Sequence, residues 1–318
     1  MIATTGMPSG TRPEPPRPGH RTPDVSGQQR TAAERTVRTL RRRRIVNRIM
    51  VGVMYAAALL AIIPLLLILT HLVREGASSL SIAFFTQPPA PVGEPGGGMA
   101  NAIVGTLILV ATASAIGLPV GIGAGLYLAE RKETKLALIT RFLSDVLNGL
   151  PSIVMGIFAW QFIVRPMGSF SAISAGVALG AMMIPLVTRS TEEMIRLVPA
   201  SLREAALALG YSRARTSLAI VLRTALPGIV TGALVAVARI AGETAPLLFT
   251  AFGSQFWSLA LDRPIDALPL RIFYYATSPY PEWRALAWAG ALVLIGIVLV
   301  ISLGARYVTG ARRGFGAD

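Results

Sequence analysis

Cysteine is missing from all 318 residues, which excludes a disulfide framework, a thiolate zinc site and a cysteine nucleophile. Histidine is nearly missing too. His20 and His71 stand in different regions, form no metal cluster, and leave most hydrolase constellations without a base. No G-x-x-x-x-G-K-[ST] loop, G-x-S-x-G elbow or H-E-x-x-H pair occurs, so the usual means of binding ATP or of hydrolytic catalysis is lacking. The expectation is a chain that is not itself an enzyme, with no cofactor and no metal. Charge is scarce as well. Charged residues make up 14% of the chain and hydrophobic residues 53%, a balance too apolar for a soluble domain of this length.

Long apolar runs are what the sequence has in place of these groups. Six are long enough to cross a bilayer as helix, which takes about 20 residues. They lie at roughly 49–72, within 95–129, and at 146–164, 171–188, 224–252 and 285–305. In hydrocarbon the backbone must satisfy its own hydrogen bonds, so each run is a helix, or a broken helix lining a cavity. The reading is an all-α integral membrane protein with six transmembrane helices. Pro119, Pro151, Pro185 and Pro246 mark expected kinks or local unwinding. Gly117, Gly121 and Gly125 recur every four residues, as do Gly176 and Gly180, a spacing that lets helices approach closely.

The net charge of +14 is distributed as a membrane-orientation signal rather than as a nucleic-acid face. Eleven arginines fall between Arg12 and Arg48. With the N-terminus inside, 24 of the 30 basic residues lie in cytosolic segments, which predicts both termini in the cytosol. Attraction to anionic membrane lipids follows from the same charges. Residues 1–33 carry six prolines among Gly, Thr, Ser and Gln, too little apolar surface to offset ordering entropy. Residues 1–45 are therefore expected to be a disordered basic cytosolic tail, and 46–318 a transmembrane domain.

One polar stretch interrupts the spans, at 201–223. Ser201 and Glu204 have the spacing of a capping box, and Ala205, Ala206 and Leu209 share a helical face. Gly210 stands where a left-handed residue would stop the helix, and Ser212 can cap the next one. The expected product is a short cytosolic helix whose small-residue surface suits a groove on a partner.

Glu204-Ala205-Ala206, then Gly210, Ile220 and Leu222, resemble the EAA loop of ABC-importer permeases, although Arg223 follows Leu222 where that motif usually has proline. The stretch 238–251, Ala-Arg-Ile-Ala-Gly-Glu-Thr-Ala-Pro-Leu-Leu-Phe-Thr-Ala, closely resembles the fifth span of the phosphate-importer permease family. Residues 145–154 and 88–98 are similar to the same family, and the resemblance covers roughly 46–310. It implies a type I ABC-importer permease fold with a cytosolic coupling helix inside a loop at 198–223. It also implies location in the bacterial plasma (inner) membrane and transport of inorganic phosphate. The partners it implies are an ATP-binding ABC subunit dimer, a second homologous permease and an extracytoplasmic phosphate-binding protein. Glu204, Ala205, Ala206 and Gly210 are then the residues coupled to the ATPase. A same-fold permease for molybdate, sulfate or a sugar, and a self-sufficient secondary transporter, are the rival expectations.

Arg239 and Glu243 stand four apart in the fifth run, about 22 Å of helix beyond Thr224 in the case of the arginine. A charge at that depth costs about 2.5 kcal/mol or more, so it should face protein or a water-filled cavity. Two readings stand: a self-neutralising pair that fixes helix rotation, or an anion route lined by Arg239, Glu243 and the Thr244 hydroxyl. Arginine suits the second, because its planar fork offers paired donors to a tetrahedral oxyanion. Asp145 and Asn148 form a second polar cluster, either bridging helices or lining an inner vestibule, and Glu192 and Glu193 with Arg189 and Arg196 read as a solvated face. The aromatics between 253 and 283 read as an interfacial belt, a seat for a binding protein, or both.

Overall fold

A computed structural model describes residues 25–91, 94, 96–131 and 133–311 of the chain. The chain divides into two units, residues 1–67 and 68–318, and all packing described below lies within the second.

Helix α1, Val25–Ser78, carries the first apolar run. It starts well inside the expected tail, because between Pro23 and Pro64 there is no proline and 31–44 is rich in Ala, Arg and Leu, all strong helix formers. Residues 1–24, the remainder of that expectation, lie outside the described residues, as do 92, 93 and 95 of the Pro/Gly-rich run. A short helix α2, Ile82–Thr86, is capped by Ser81 and buries Phe84. Helix α3, Ala100–Glu130, is the second span and passes Pro119 without a break.

The third run departs from a single straight span. Thr134 caps α4, Lys135–Gly149, and the chain then bends by 105° at Leu150-Pro151. Helix α5, Ser152–Ala159, continues through a π-helical turn, Trp160–Val164, into α6, Arg165–Met167. Proline has no N–H to continue the α4 ladder and restricts Leu150 to extended backbone, so the helix restarts at Pro151 in a new direction.

Helix α7, Ala172–Arg196, is the fourth span, opened by a Ser171/Ser174 capping box. A short helix α8, Ala200–Ala208, follows, then α9, Arg213–Arg215, a second π-helical segment, Thr216–Val221, and α10, Leu222–Ala241. The fifth run is broken rather than continuous: α10 stops at Ala241, Gly242 ends it, and α11, Ala245–Thr250, restarts beyond. Helix α12, Leu268–Ala276, precedes α13, Pro281–Ala311, the last span. The described residues thus hold five helices long and apolar enough to cross a membrane, or six where the bent pair of α4 with α5–α6 is counted as one broken span.

The core is α3 laid against α7. A Cβ on Gly117, Gly121 or Gly125 of α3 would stand 2.6–2.8 Å from Met183, Val187 or Thr188 and Thr191 of α7. In return a Cβ on Gly176 would stand 2.5 Å from Thr112. Each helix therefore lends the other hydrogen-sized slots, the small-residue packing on which helices in lipid depend. Leu109, Ala113, Leu179, Met183, Ala236, Ile240 and Leu247 close a core around this pair, drawing α10 and α11 onto it. Gly121→Ala, whose new carbon would lie 2.7 Å from the Val187 Cβ, is expected to lower stability in detergent by about 1–3 kcal/mol. Thermal unfolding beside Gly123→Ala, which meets nothing within 4 Å, supplies the check.

Candidate functional site

The break in the fifth span places the singled-out residues. Arg239 stands in the last turn of α10, and Glu243 lies past the helix end rather than on its face. They still meet: Arg239 Nε is 3.9 Å from Glu243 Oε1, an ion pair outside hydrogen-bond distance. The arginine side chain is 55% exposed and the glutamate 18%, so the guanidinium projects from this chain's surface. Thr244 caps α11 through its backbone, its carbonyl accepting from Leu247 N and Leu248 N, and its side chain makes no cap bond.

Arg239 borders a narrow crevice between three elements, with room for little more than one water. Asn148 and Leu150 border it at the α4–α5 bend, Met155 on α5, and Met182 and Leu186 on α7. The two breaks thus converge, since the end of α4 and the end of α10 bring Asn148 and Arg239 to the same opening. Neither Glu243 nor Thr244 borders this cleft. A guanidinium and an amide at one opening, with a carboxylate held loosely behind, can offer several N–H donors to an oxyanion without locking it in place.

At the far end of the bundle, Glu192 is 1% exposed, which corrects the solvated face expected for it. Arg141 Nε donates to it at 2.8 Å from α4, Arg196 contacts the same oxygen, and Arg189 Nη1 lies 3.7 Å from the other. The reason is packing: α4 folds back against α7 and covers the carboxylate, while Arg141 Nη2 also donates to the Leu128 carbonyl of α3.

The polar helix expected at 201–210 exists as α8, but Ser201 does not cap it. Pro199, at φ −56° and ψ 140°, stands at the cap, and the helix starts at Ala200, which leaves Ser201 inside the first turn. Proline presets the backbone for entry and wins over the Ser/Glu pair. Ala206 alone of the expected face is buried, whereas Glu204, Ala205 and Leu209 are exposed beside Leu202 and Leu207. Gly210 takes φ +84° and Ser212 Oγ accepts from Arg215 N, as expected of a left-handed stop followed by a new cap.

A buried ion pair in the segment after α11 has no counterpart among the sequence expectations. Asp266 and Arg271 are almost fully covered, with Arg271 Nε 2.8 Å and Nη2 2.5 Å from Asp266 Oδ2. Asn101 Nδ2 at the start of α3 donates to the same oxygen and to the Ser254 carbonyl. Burial pushes the Asp266 carboxyl above its ordinary value, and Arg271 pulls against that shift. Tyr275 and Trp283, expected in an aromatic belt or seat, instead stack 4.7 Å apart, and Tyr275 is buried with Phe84 and Met99. Phe252, Phe256, Trp257, Phe273, Tyr274 and Tyr280 stay exposed at this end. An acid and a base five residues apart in an otherwise apolar segment were the one available signal for the Asp266 pair.

The family described as "Binding-protein-dependent transport system inner membrane component" matches residues 117–313. The chain is similar to the "Phosphate transport system permease protein PstA" of Yersinia pestis, 46% identical over 85% of this chain and 92% of that protein. The protein of the same description from Xylella fastidiosa (strain Temecula1) is 45% identical over 84% of this chain and 93% of its own. Among solved structures, a chain of the inward-facing MetNI methionine ABC transporter matches with a TM-score of 0.53 and 22% identity, over 66% of this chain and 92% of that one. This last likeness is one of fold.

Proposed function

The chain belongs to the binding-protein-dependent transport system inner membrane components, among relatives that are phosphate permeases, and from that premise we propose that it conducts inorganic phosphate as one permease subunit of an ATP-driven importer. ATP hydrolysis falls to a separate pair of ABC subunits. A second homologous permease completes the path, and an extracytoplasmic phosphate-binding protein delivers the anion. Both termini face the cytosol, in keeping with the basic residues concentrated at 12–48.

The observation that carries this reading is the half-exposed Arg239 at a break in a span, sharing a cleft with Asn148. A guanidinium there cannot face lipid tails at acceptable cost, so it faces a partner permease or water. Phosphate, which keeps a proton near neutral pH, can accept from the arginine fork and donate to Glu243. The loose 3.9 Å pairing keeps the arginine available while limiting how tightly it retains the anion. Thr244 belongs to the same route only through the break it helps form. The exposed face of α8, with Leu202, Glu204, Ala205 and Leu207, is the surface that meets the ATPase, and Ala206 anchors the helix to its own subunit. Phosphate uptake into vesicles containing the whole complex should require ATP. Uptake by this chain alone, driven by an ion gradient, would remove the importer reading.

Gly210 supplies a narrower check. Its φ of +84° suits glycine, and a Cβ there would meet nothing within 4 Å, so any effect of substitution comes through the backbone. Gly210→Ala should cost about 1 kcal/mol locally, and the β-branched Gly210→Val more. ATP-driven uptake is expected to fall about tenfold in the valine variant, with membrane level unchanged, because α8 is re-aimed against its partner.

A further inference from the structure

We propose that Arg203 is a transmission pin that fastens α8 to the α3–α7 pair, so that motion of the coupling helix is delivered to the packed core of the subunit as well as along the chain into α10. The inference rests on the importer reading above. Arg203 lies on α8 one residue before Glu204, and its guanidinium reaches two helices at once. Nη1 contacts Glu130 Oε1, the last residue of α3 and 73 positions away in sequence. Nη2 donates to the Ile195 carbonyl in the last turn of α7 at 3.2 Å.

Both contacts lie at helix C-termini. The final carbonyls of a helix lack intrahelical partners and carry partial negative charge, so one cation between two such ends is favoured by both. The planar fork of arginine allows the double engagement, whereas a lysine ammonium holds one partner well. Both side chains are partly covered, at 25% and 28% exposure. Beneath them Ala129 of α3 and Ile195 of α7 share an apolar cluster with Val221, Ala225 and Ile229, so the pinned ends are packed together.

The pin divides the work of α8. Its C-terminal side leads through Gly210 into the π-helical segment and α10, the helix bearing Arg239. Its N-terminal side is joined to α7 through 197–199 and tied by Arg203 to the ends of α3 and α7, two helices that interlock through their glycines. A displacement of α8 then shifts α10 against the α3–α7 pair, and the cleft they share with the end of α4 opens or closes. Without the pin, α8 keeps its chain link to α7 through 197–199 and its Ala206 contact, but loses its hold on α3.

The test uses the complete complex in proteoliposomes with phosphate-loaded binding protein, measuring phosphate taken up and ATP hydrolysed. Arg203→Glu should lower phosphate transported per ATP about tenfold, with basal ATP hydrolysis changed by less than about twofold. The reversed pair, Glu130→Arg with Arg203→Glu, restores the contact with α3 but not the donation to the Ile195 carbonyl, so it should regain part of that ratio, and Arg203→Lys should fall between the unsubstituted complex and Arg203→Glu. A ratio unchanged in Arg203→Glu overturns the proposal. So does a loss, whether of coupling or of assembly, that the reversed pair fails to repair. An unsubstituted complex that takes up no phosphate with ATP would instead sink the importer reading, which keeps the two failures apart.

Discussion

Arg239→Ala is expected to lower ATP-driven phosphate uptake by about 100-fold, while the subunit still reaches the membrane and assembles. The alanine variant loses every donor that the guanidinium projects into the cleft with Asn148, and it loses the only positive charge on α10 beyond Arg223. Assembly should survive because the arginine holds nothing tightly: its distance to Glu243 is 3.9 Å and more than half of its side chain is uncovered. The rival explanation is that Arg239 exists to neutralise Glu243. Removing both charges separates the two. If neutralisation is the role, Arg239→Ala with Glu243→Gln recovers uptake; if Arg239 engages the anion, the double variant stays inactive. Arg239→Lys keeps the charge without the fork, and on the anion reading it retains an intermediate rate. Uptake of radiolabelled phosphate by vesicles with matched complex content decides among these outcomes.

The spans themselves were legible because hydropathy and length are local properties, and four of the six runs each follow a single helix, the third and the fifth being broken. The breaks were legible only in part. Pro151 and the Gly242–Pro246 stretch announced disturbance, but the choice between a kink and a stop depends on whether neighbours accept the freed backbone groups. Pro119 and Pro185 look the same in sequence and lie inside unbroken helices, whereas Pro151 marks a 105° turn. Helix α4 escaped notice as a separate element because Lys135, Arg141 and Asp145 dilute its apolar content. At α8 two start signals competed two residues apart, and the backbone restriction of Pro199 prevailed over the Ser201 side chain. Contacts between distant residues were the hardest to foresee. Glu192 becomes buried only when α4 folds over it, and Arg203 finds Glu130 only after α3 and α7 are paired. For the site, the arginine and glutamate were visible as costly charges in an apolar run. Their cleft was not, since it takes the ends of two broken helices to make it.

Arg271→Met is expected to lower stability in detergent by about 3–5 kcal/mol, the cost typical of stranding one member of a buried ion pair. Asp266 would keep its backbone bond from Ala267 and its bond from Asn101, but it would lose both guanidinium donors in a site where it is 1% exposed. The loss should spread beyond the pair. Arg271 also donates to the Ser254 carbonyl, and a Cβ on Gly105 would stand 2.0 Å from the Asp266 carbonyl, so the whole segment after α11 sits closely on α3. A pH series gives the diagnostic sign. Burial already pushes the Asp266 carboxyl upward with Arg271 in place, and deleting Arg271 removes the strongest of the contacts that oppose that push, leaving those of Ala267 and Asn101. The folded variant then holds a proton that its unfolded chain has released. Its stability is therefore greatest in acid, falls as pH rises from the ordinary carboxylate value through the raised one, and stays low above it. Adding Asp266→Asn should flatten that slope and return part of the lost stability, because an amide needs no counter-charge. Melting temperatures of the three proteins across the acid-to-neutral range read out both effects. A single variant whose stability rose with pH would show that the carboxylate, not its burial, governs this end of the molecule.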